Sequence, residues 1–157
     1  MTEPDFNLLD SQLRALLCDE SDSLASAGIF VALLYHAIDD INWLGIYVLR
    51  GDELVLGPFQ GKPACVYIEI GVGVCGTTAK TLQSQRVADV HEFAGHIACD
   101  PDSRSELVVP LIIDSNLIGV LDIDSTSISR FSAADQEGAE KLCATFCELQ
   151  STRDQFT

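Results

Sequence analysis

Segments with the character of β-strands follow one another in pairs between helical segments at both ends of the chain, and this order constrains the fold most. Two β-hairpins are predicted from apolar segments on either side of short polar turns, at 43–49 with 54–59 and at 107–113 with 117–124. Pro110 predicts an edge or bulged position in its strand, because proline has no N–H to donate. Helices around a run of hairpins predict an α+β fold in which helices back an antiparallel sheet.

The helical segments are marked by apolar spacing and by capping residues. The first helix is predicted from five apolar residues: Phe6, Leu9, Leu13, Leu16 and Leu17. The last helix is predicted to begin at Ser132, with Asp135 completing a capping box and Phe131 packing beside it. Further helices are predicted at 22–38 and 76–82, and further strands at 64–70 and 86–89. The length of 157 residues fits one compact domain over residues 1–157.

The charge of the chain restricts its partners. Nine Lys and Arg residues against 24 Asp and Glu residues give a net charge of −15, which repels phosphate and argues against nucleic acid and anionic membranes as partners. The charge favours a cationic or zwitterionic ligand, or serves solubility alone. The first ten residues have no basic region typical of a signal peptide, and no apolar run reaches the roughly 18 residues of a membrane span. The chain is therefore predicted to be cytoplasmic.

Two strands carry side chains that could bind a ligand. Asp122 and Asp124 are predicted to share one face of an otherwise apolar strand, because side chains alternate along a strand. They indicate either a solvated strand end or a site for an ammonium group or a metal. Trp43, Gly45 and Tyr47 share one face of the first strand, where they form either an ordinary aromatic core or one wall of a small apolar pocket.

Six cysteines add a second kind of chemistry, and in a reducing compartment they are thiols, metal ligands or redox centres. Cys18, Cys143 and Cys147 are expected to be inert thiols. Cys75 lies where a helix is predicted to begin, so its pKa is expected to fall. Cys99 lies near His96 in the segment 90–105, whose lack of any period predicts a binding loop or lid. The residues alone leave open whether Cys75 or Cys99 is a nucleophile.

A zinc site is the alternative to a redox or nucleophilic role for these cysteines. Its candidate ligands are Cys65, Cys75, Cys99, His91 and His96, but no C-x-x-C motif brings two of them together. We therefore predict no metal and no other cofactor. A serine hydrolase is also disfavoured, because the chain has no G-x-S-x-G motif.

Several motifs together resemble the free methionine-(R)-sulfoxide reductase family, which is built on a GAF domain. The matching stretches are DINW with Gly45 and Tyr47, LGPFQGK at 56–62, Ala64-Cys65, GVGVCGT at 71–77, DVH at 89–91, GHIACD at 95–100, Ser103, Ser105-Glu106, GVLDIDS at 119–125 and Arg130-Phe131. The resemblance covers residues 22–150 and includes three cysteines in order. It implies a GAF fold and reduction of free L-methionine (R)-sulfoxide to L-methionine.

The resemblance also implies roles for individual residues. Cys99 matches the cysteine that attacks the sulfoxide, Cys65 the cysteine that resolves the sulfenic acid, and Cys75 an accessory or alternative resolving thiol. Three acids match the substrate-binding trio: Glu106, Asp122 and Asp124. Trp43 and Tyr47 match the methyl pocket. The family closes its site over the substrate, and the segment 90–105 matches such a lid.

The family recycles its disulfide with thioredoxin and tends to dimerise, and the apolar first two helices of this chain could form the homodimer interface. The alternative is a non-catalytic GAF domain that senses a small molecule and consumes no thiol. A zinc-binding module is the third alternative, which stoichiometric zinc in the purified protein would support.

Overall fold

The computed structural model describes residues 2–19, 22–96 and 100–150. The described part contains four α-helices: α1 (Phe6–Leu17), α2 (Ser23–Ala37), α3 (Gly73–Thr81) and α4 (Ala133–Gln150). It contains six β-strands: β1 (Trp43–Arg50), β2 (Glu53–Gln60), β3 (Tyr67–Glu69), β4 (Gln85–Val87), β5 (Ser105–Ile113) and β6 (Asn116–Ser125). None of these helices is long and apolar enough to cross a membrane.

The six strands form one antiparallel sheet in the order β3-β2-β1-β6-β5-β4. One face of the sheet packs on α1, α2 and α4 in a large apolar core that includes Leu44, Ile46, Leu107 and Leu121. The opposite face packs on α3 in a smaller core that includes Trp43 and Tyr47. The predicted α+β fold with a helix-backed antiparallel sheet is confirmed, and the face toward α3 is the one that carries the polar side chains discussed below.

Capping side chains begin the helices as the sequence predicts. Asp22 accepts a hydrogen bond from the backbone N–H of Ala25, and α2 starts at the next residue, Ser23. At the start of α4 the Ser132 N–H donates to Asp135 while the Asp135 N–H donates to Ser132, which is the predicted capping box. The predicted first helix is confirmed as α1, whose buried stripe is formed by Leu9, Leu13 and Leu17, whereas Leu16 is 54% exposed.

Short elements near α3 differ from their predicted bounds. Helix α3 begins at Gly73 rather than residue 76, because the glycine-rich segment forms the first turn of the helix instead of a loop before it. Strand β3 spans only Tyr67–Glu69 rather than 64–70, and β4 spans Gln85–Val87 rather than 86–89.

The prediction for Pro110 holds in part. Strand β5 lies inside the sheet, but β4 pairs with it only as far as Val108. Beyond that residue one side of β5 is open, and the register with β6 shifts between Leu111 and Ile112. Pro110 therefore lies where the sheet can tolerate a missing N–H.

Candidate active site

A cavity lies on the sheet face toward α3. Its floor comes from β1, β5 and β6, its side from the first turn of α3, and its rim from the segments after β2 and before β5. The residues that line it are Trp43, Tyr47, Lys62, Pro63, Ala64, Ile68, Val72, Gly73, Val74, Cys75, His96, Asp100, Ser103, Glu106, Asp122 and Asp124.

Strand pairing brings three acids onto the floor of this cavity. Asp124 pairs with Trp43 of β1 on one side and with Glu106 of β5 on the other, so these side chains form one row across three strands. Asp122 lies two residues before Asp124 and opposite Gly45. The predicted shared face of Asp122 and Asp124 is confirmed, and the fold adds Glu106 from the neighbouring strand.

Two of the three acids are buried. Glu106 and Asp122 are each 6% exposed, whereas Asp124 is half-buried, so the interpretation as a solvated strand end is wrong for Asp122. Burial raises the pKa of all three carboxyl groups, and the charge of Asp122 adds to the rise for Glu106 and Asp124. The Oδ1 atom of Asp122 has no hydrogen-bond partner among the described residues. A buried acceptor without a partner is costly, and a ligand with a positive charge or an N–H group would remove that cost.

Glu106→Gln is expected to make protein stability less sensitive to pH. Because the pKa of Glu106 is higher in the folded than in the unfolded state, its stabilising contribution is complete below the unfolded value of about 4.3. That contribution is lost as the pH rises through the folded value, since ionisation then opposes burial. We expect the melting temperature of Glu106→Gln to exceed that of the wild type by a margin that grows from about pH 5 to pH 8.

The matched control for this change is Glu137→Gln on the exposed side of α4. Its melting temperature is expected to follow that of the wild type at every pH. A margin for Glu106→Gln that stays constant or shrinks toward pH 8 would mean that the pKa of Glu106 is not raised in the folded protein.

Cys75 occupies the first turn of α3 and meets the acids directly. Its Sγ lies 3.8 Å from Oε1 of Glu106, and one oxygen each of Glu106 and Asp122 lies within 4.8 Å of the sulfur. The expectation of a lowered pKa is wrong: burial and the charges of Asp122, Glu106 and Asp124 raise the pKa of the Cys75 thiol. These effects outweigh the helix N-terminus, so Cys75 is a buried neutral thiol.

The other cysteines differ in whether they are bonded or free. Cys65 is half-buried, directly follows the lining residue Ala64 and takes part in a disulfide bond. Cys99 lies outside the described residues. Cys18, Cys143 and Cys147 are free thiols as predicted; burial raises the pKa of Cys143 and raises that of Cys147 to about 11, whereas Cys18 is exposed.

Stacked aromatic rings form one wall of the cavity. The ring centroid of Trp43 lies 5.5 Å from that of Phe59 and 6.0 Å from that of Tyr47. Trp43 Nε1 donates to the backbone oxygen of Lys62, and the Tyr47 hydroxyl donates to that of Cys65. These bonds hold the segment after β2, including Cys65, against the wall. Trp43 and Tyr47 are therefore both core residues and pocket residues.

Gly45→Ala is expected to destabilise the protein by about 1–3 kcal/mol through overpacking of this wall. A Cβ at Gly45 would lie 2.5 Å from the Trp43 ring and 2.6 Å from Cβ of Phe59. Urea unfolding measures the change. Gly28→Ala is the control, since nothing lies within 4 Å of a Cβ there and alanine favours the helix. Equal stability of Gly45→Ala and the wild type would contradict the close packing of Trp43 over Gly45.

Polar side chains tie the segment before β5 to the cavity. The Nδ2 of Asn42 donates to Asp100 at 3.2 Å and to Ser103 at 3.1 Å. Lys62 forms an exposed ion pair with Asp102 at 3.2 Å, which bridges the two rim segments. Nε2 of His96 lies 4.0 Å from Oε2 of Glu106. Burial lowers the pKa of His96 and raises that of Glu106, and both shifts oppose an ion pair at this contact.

His96, Lys62, Asp100 and Ser103 are lining residues that the sequence-based site omits. All four lie in segments without helical or strand period, where spacing gives no direction to a side chain. These four residues lie within the motifs that resemble the reductase family, and this is the one signal that could have identified them as site residues.

The possible metal ligands in the cavity differ from the zinc ligands that the sequence suggested. Among the described residues Cys75, Glu106 and Asp122 could hold a cation. His91 and His96 lie with ring centroids 6.5 Å apart, and only His96 of the two lines the cavity. The raised pKa of all three donors disfavours the ionised forms that a metal requires.

Comparisons with known proteins place the chain in a family. Residues 10–149 match the GAF domain family. The free methionine-R-sulfoxide reductase of Escherichia coli is 50% identical over 146 residues, which are 93% of this chain and 88% of that protein. The chain belongs to the free methionine-R-sulfoxide reductase family of GAF domains.

Solved structures of this reductase family superpose closely on the chain. The fRMsr of Staphylococcus aureus, solved in complex with its substrate, has a TM-score of 0.90 and 46% identity over 95% of this chain and 97% of that one. The free methionine-R-sulfoxide reductase of Neisseria meningitidis, also solved with its substrate, has a TM-score of 0.88 and 37% identity over 92% of this chain and 87% of that one. The predicted fold and reductase family are thereby confirmed.

Proposed function

We propose that this protein reduces free L-methionine (R)-sulfoxide to L-methionine through a cysteine sulfenic acid and a disulfide that thioredoxin reduces. The observation that carries the proposal is one cavity that combines three acids and an aromatic wall, with the disulfide-bonded Cys65 next to the lining residue Ala64. The names of the Escherichia coli and Neisseria meningitidis relatives support the same substrate.

The acids account for selection of the free amino acid. The unpartnered Oδ1 of Asp122, with Asp124 beside it, would pair with the ammonium group of the substrate. A peptide-bound methionine sulfoxide has a neutral amide in place of that ammonium group, so it would leave the buried carboxylate without a counter-charge. The substrate methyl group would lie against Trp43 and Tyr47, whose stacked rings offer an apolar surface.

Glu106 is the acid we propose for the sulfoxide oxygen. Its raised pKa keeps a proton available near neutral pH, which a donor to that oxygen requires. The Cys99 thiolate attacks the sulfoxide sulfur while Glu106 protonates the oxygen, which forms a bond between the two sulfur atoms. The hydroxyl group then moves to the Cys99 sulfur as the S–O and S–S bonds of the methionine sulfur break, so methionine leaves and Cys99 becomes a sulfenic acid. The Cys65 thiol then condenses with the sulfenic acid, which releases water and forms a disulfide. Overall, two thiols and one sulfoxide give one disulfide, one sulfide and one water.

The disulfide at Cys65 supports Cys99 as its partner. Cys18, Cys75, Cys143 and Cys147 are free thiols, and the family resemblance implies Cys99 as the partner of Cys65. Cys65 is half-buried, so its sulfur would be within reach of an external dithiol. Thioredoxin is the proposed dithiol, since the thioredoxin thiolate would attack the disulfide and leave as its own disulfide.

Other features of the family are proposals for this chain as well. We propose that residues 1–157 act as one domain in the cytoplasm, that the segment 90–105 closes over bound substrate, and that α1 and α2 form a homodimer interface. The exposed side chains of Leu16 and Ile29 on these helices support the interface.

An assay with purified thioredoxin, thioredoxin reductase and NADPH tests the function, with methionine measured directly. Free L-methionine (R)-sulfoxide is expected to give methionine, whereas the (S) epimer and N-acetyl-methionine (R)-sulfoxide are expected to give less than about one hundredth of that rate because they misplace the oxygen or lack the ammonium group. Equal rates with the free and N-acetylated substrates would overturn the role of the acids. No methionine from any substrate, with the free amino acid still bound, would favour the non-catalytic sensor.

A further inference from the structure

We propose that Cys75 is a positioning residue whose thiol donates a hydrogen bond to Oε1 of Glu106 and so places the carboxylic proton of Glu106 on Oε2. The inference rests on the proposed reductase activity and assigns to Cys75 a role other than resolution of the sulfenic acid. It follows from the contacts of one buried thiol that the proposed thiol cycle does not use.

The geometry of the contact is that of a sulfur donor and a carboxyl acceptor. Cys75 is a free thiol and is buried, as Glu106 is, and Sγ lies 3.8 Å from Oε1. This distance suits S–H as a weak donor, because sulfur is larger than oxygen or nitrogen. The contact joins α3 to β5, so it aligns the helix with the strand that carries Glu106.

The backbone around Cys75 holds the sulfur in this place. The Gly76 N–H donates to the oxygen of Val72, and the oxygen of Gly76 accepts from the Gly71 N–H. A Cβ at Gly76 would lie only 2.5 Å from the backbone oxygen of Glu69, which means that the first turn of α3 packs directly on the strand end. Cys75 therefore has little freedom to swing toward another cysteine.

The hydrogen bond distinguishes the two oxygens of Glu106. A neutral carboxyl group has one proton, and its carbonyl oxygen is the better acceptor, so a donor at Oε1 favours the proton on Oε2. Oε2 lies on the side of His96, which lines the cavity. The proton is thereby held on the oxygen nearer to His96, which lines the cavity as Glu106 does.

Cys75 is poorly suited to resolve a sulfenic acid. Burial and three neighbouring acids raise the pKa of its thiol, whereas attack on sulfur requires thiolate character. The structure also has Cys65 in a disulfide while Cys75 is free. The same two features suit a neutral hydrogen-bond donor.

Two substitutions at Cys75 separate the roles. Cys75→Ala removes the donor and is expected to lower kcat about five- to tenfold with KM changed less than about twofold, because one hydrogen bond to the reacting acid is lost. Loss of a donor to the carboxylate also raises the pKa of Glu106, so the alkaline limb of the kcat profile moves to higher pH. Cys75→Ser keeps a donor and is expected to restore kcat and the pH profile.

Cys143→Ala is the matched control, since it removes a buried free thiol on the other side of the sheet. It is expected to lose comparable stability with unchanged kinetics. A readout independent of turnover is the infrared C=O band of protonated Glu106, identified by its loss in Glu106→Gln. This band is expected to move to higher frequency in Cys75→Ala and to return in Cys75→Ser.

Several outcomes would overturn the positioning role. If Cys75→Ser were as impaired as Cys75→Ala, Cys75 would be a resolving thiol. The same conclusion would follow if the Cys75 variants released methionine normally in the first turnover but were not recycled. If Cys75→Ala kept full activity and its C=O band did not shift, Cys75 would have no role in positioning the proton of Glu106. These outcomes all require an active wild type, so they are distinct from failure of the reductase function, in which the wild type makes no methionine and both proposals fall.

Discussion

Cys99→Ser is expected to abolish methionine formation, with a rate below about one thousandth of the wild type, because a serine hydroxyl is not ionised near neutral pH and cannot attack the sulfoxide sulfur as a thiolate does. The first turnover, followed by quenching and quantification of methionine, measures this directly. Cys65→Ser is expected to release one methionine per protein molecule and then stop, since the sulfenic acid on Cys99 has no resolving partner.

Cys18→Ser is the control for these cysteine changes, because Cys18 is exposed at the end of α1 and away from the cavity. It is expected to keep full turnover. Dimedone labelling at Cys99 in Cys65→Ser after one turnover would support the sulfenic acid. Continued turnover of Cys99→Ser with thioredoxin would show that another cysteine attacks the substrate.

Asp122→Asn is expected to lower kcat/KM by about two to four orders of magnitude, which corresponds to the loss of about 3–5 kcal/mol when one partner of a buried charge pair is removed. The Oδ1 of Asp122 is the buried acceptor that we propose for the substrate ammonium, and a neutral amide there cannot supply the charge. Isothermal titration of the reduced protein with substrate, alongside steady-state kinetics, separates binding from chemistry.

The same substitution is expected to leave the fold intact or stabilise it. Burial raises the pKa of Asp122, so its ionised form is costly in the folded protein, and asparagine removes that cost. Asp114→Asn in the exposed turn between β5 and β6 is the isosteric control and is expected to keep full activity. Asp122→Asn with normal kcat/KM would exclude Asp122 from the binding of the ammonium group.

The strand period made much of the sheet and part of the site predictable. Alternation along 117–124 placed Asp122 and Asp124 on one face, and the same rule placed Trp43 and Tyr47 together. Both hairpins and the capping box at Ser132 also follow from local signals. Such features depend on neighbours in sequence, which a pattern can describe.

Other features of the site depend on tertiary contacts, which the sequence pattern does not describe. The sequence placed Cys75 at the start of a helix and therefore predicted a lowered pKa for its thiol. Burial and the acids from β5 and β6 raise that pKa instead. Glu106 entered the site only through the resemblance, because its row with Asp124 and Trp43 is formed by strands far apart in the chain. His96 was missed as a lining residue, since an irregular segment gives no direction to its side chains.

The thiol content of the fully reduced protein, measured before and after one equivalent of free L-methionine (R)-sulfoxide with methionine quantified in parallel, tests the central claim most directly. We expect the loss of two thiols for each methionine formed and a disulfide that peptide mapping places between Cys65 and Cys99. Substrate binding without loss of thiols and without methionine would contradict the account and would identify a GAF domain that binds its ligand without reacting.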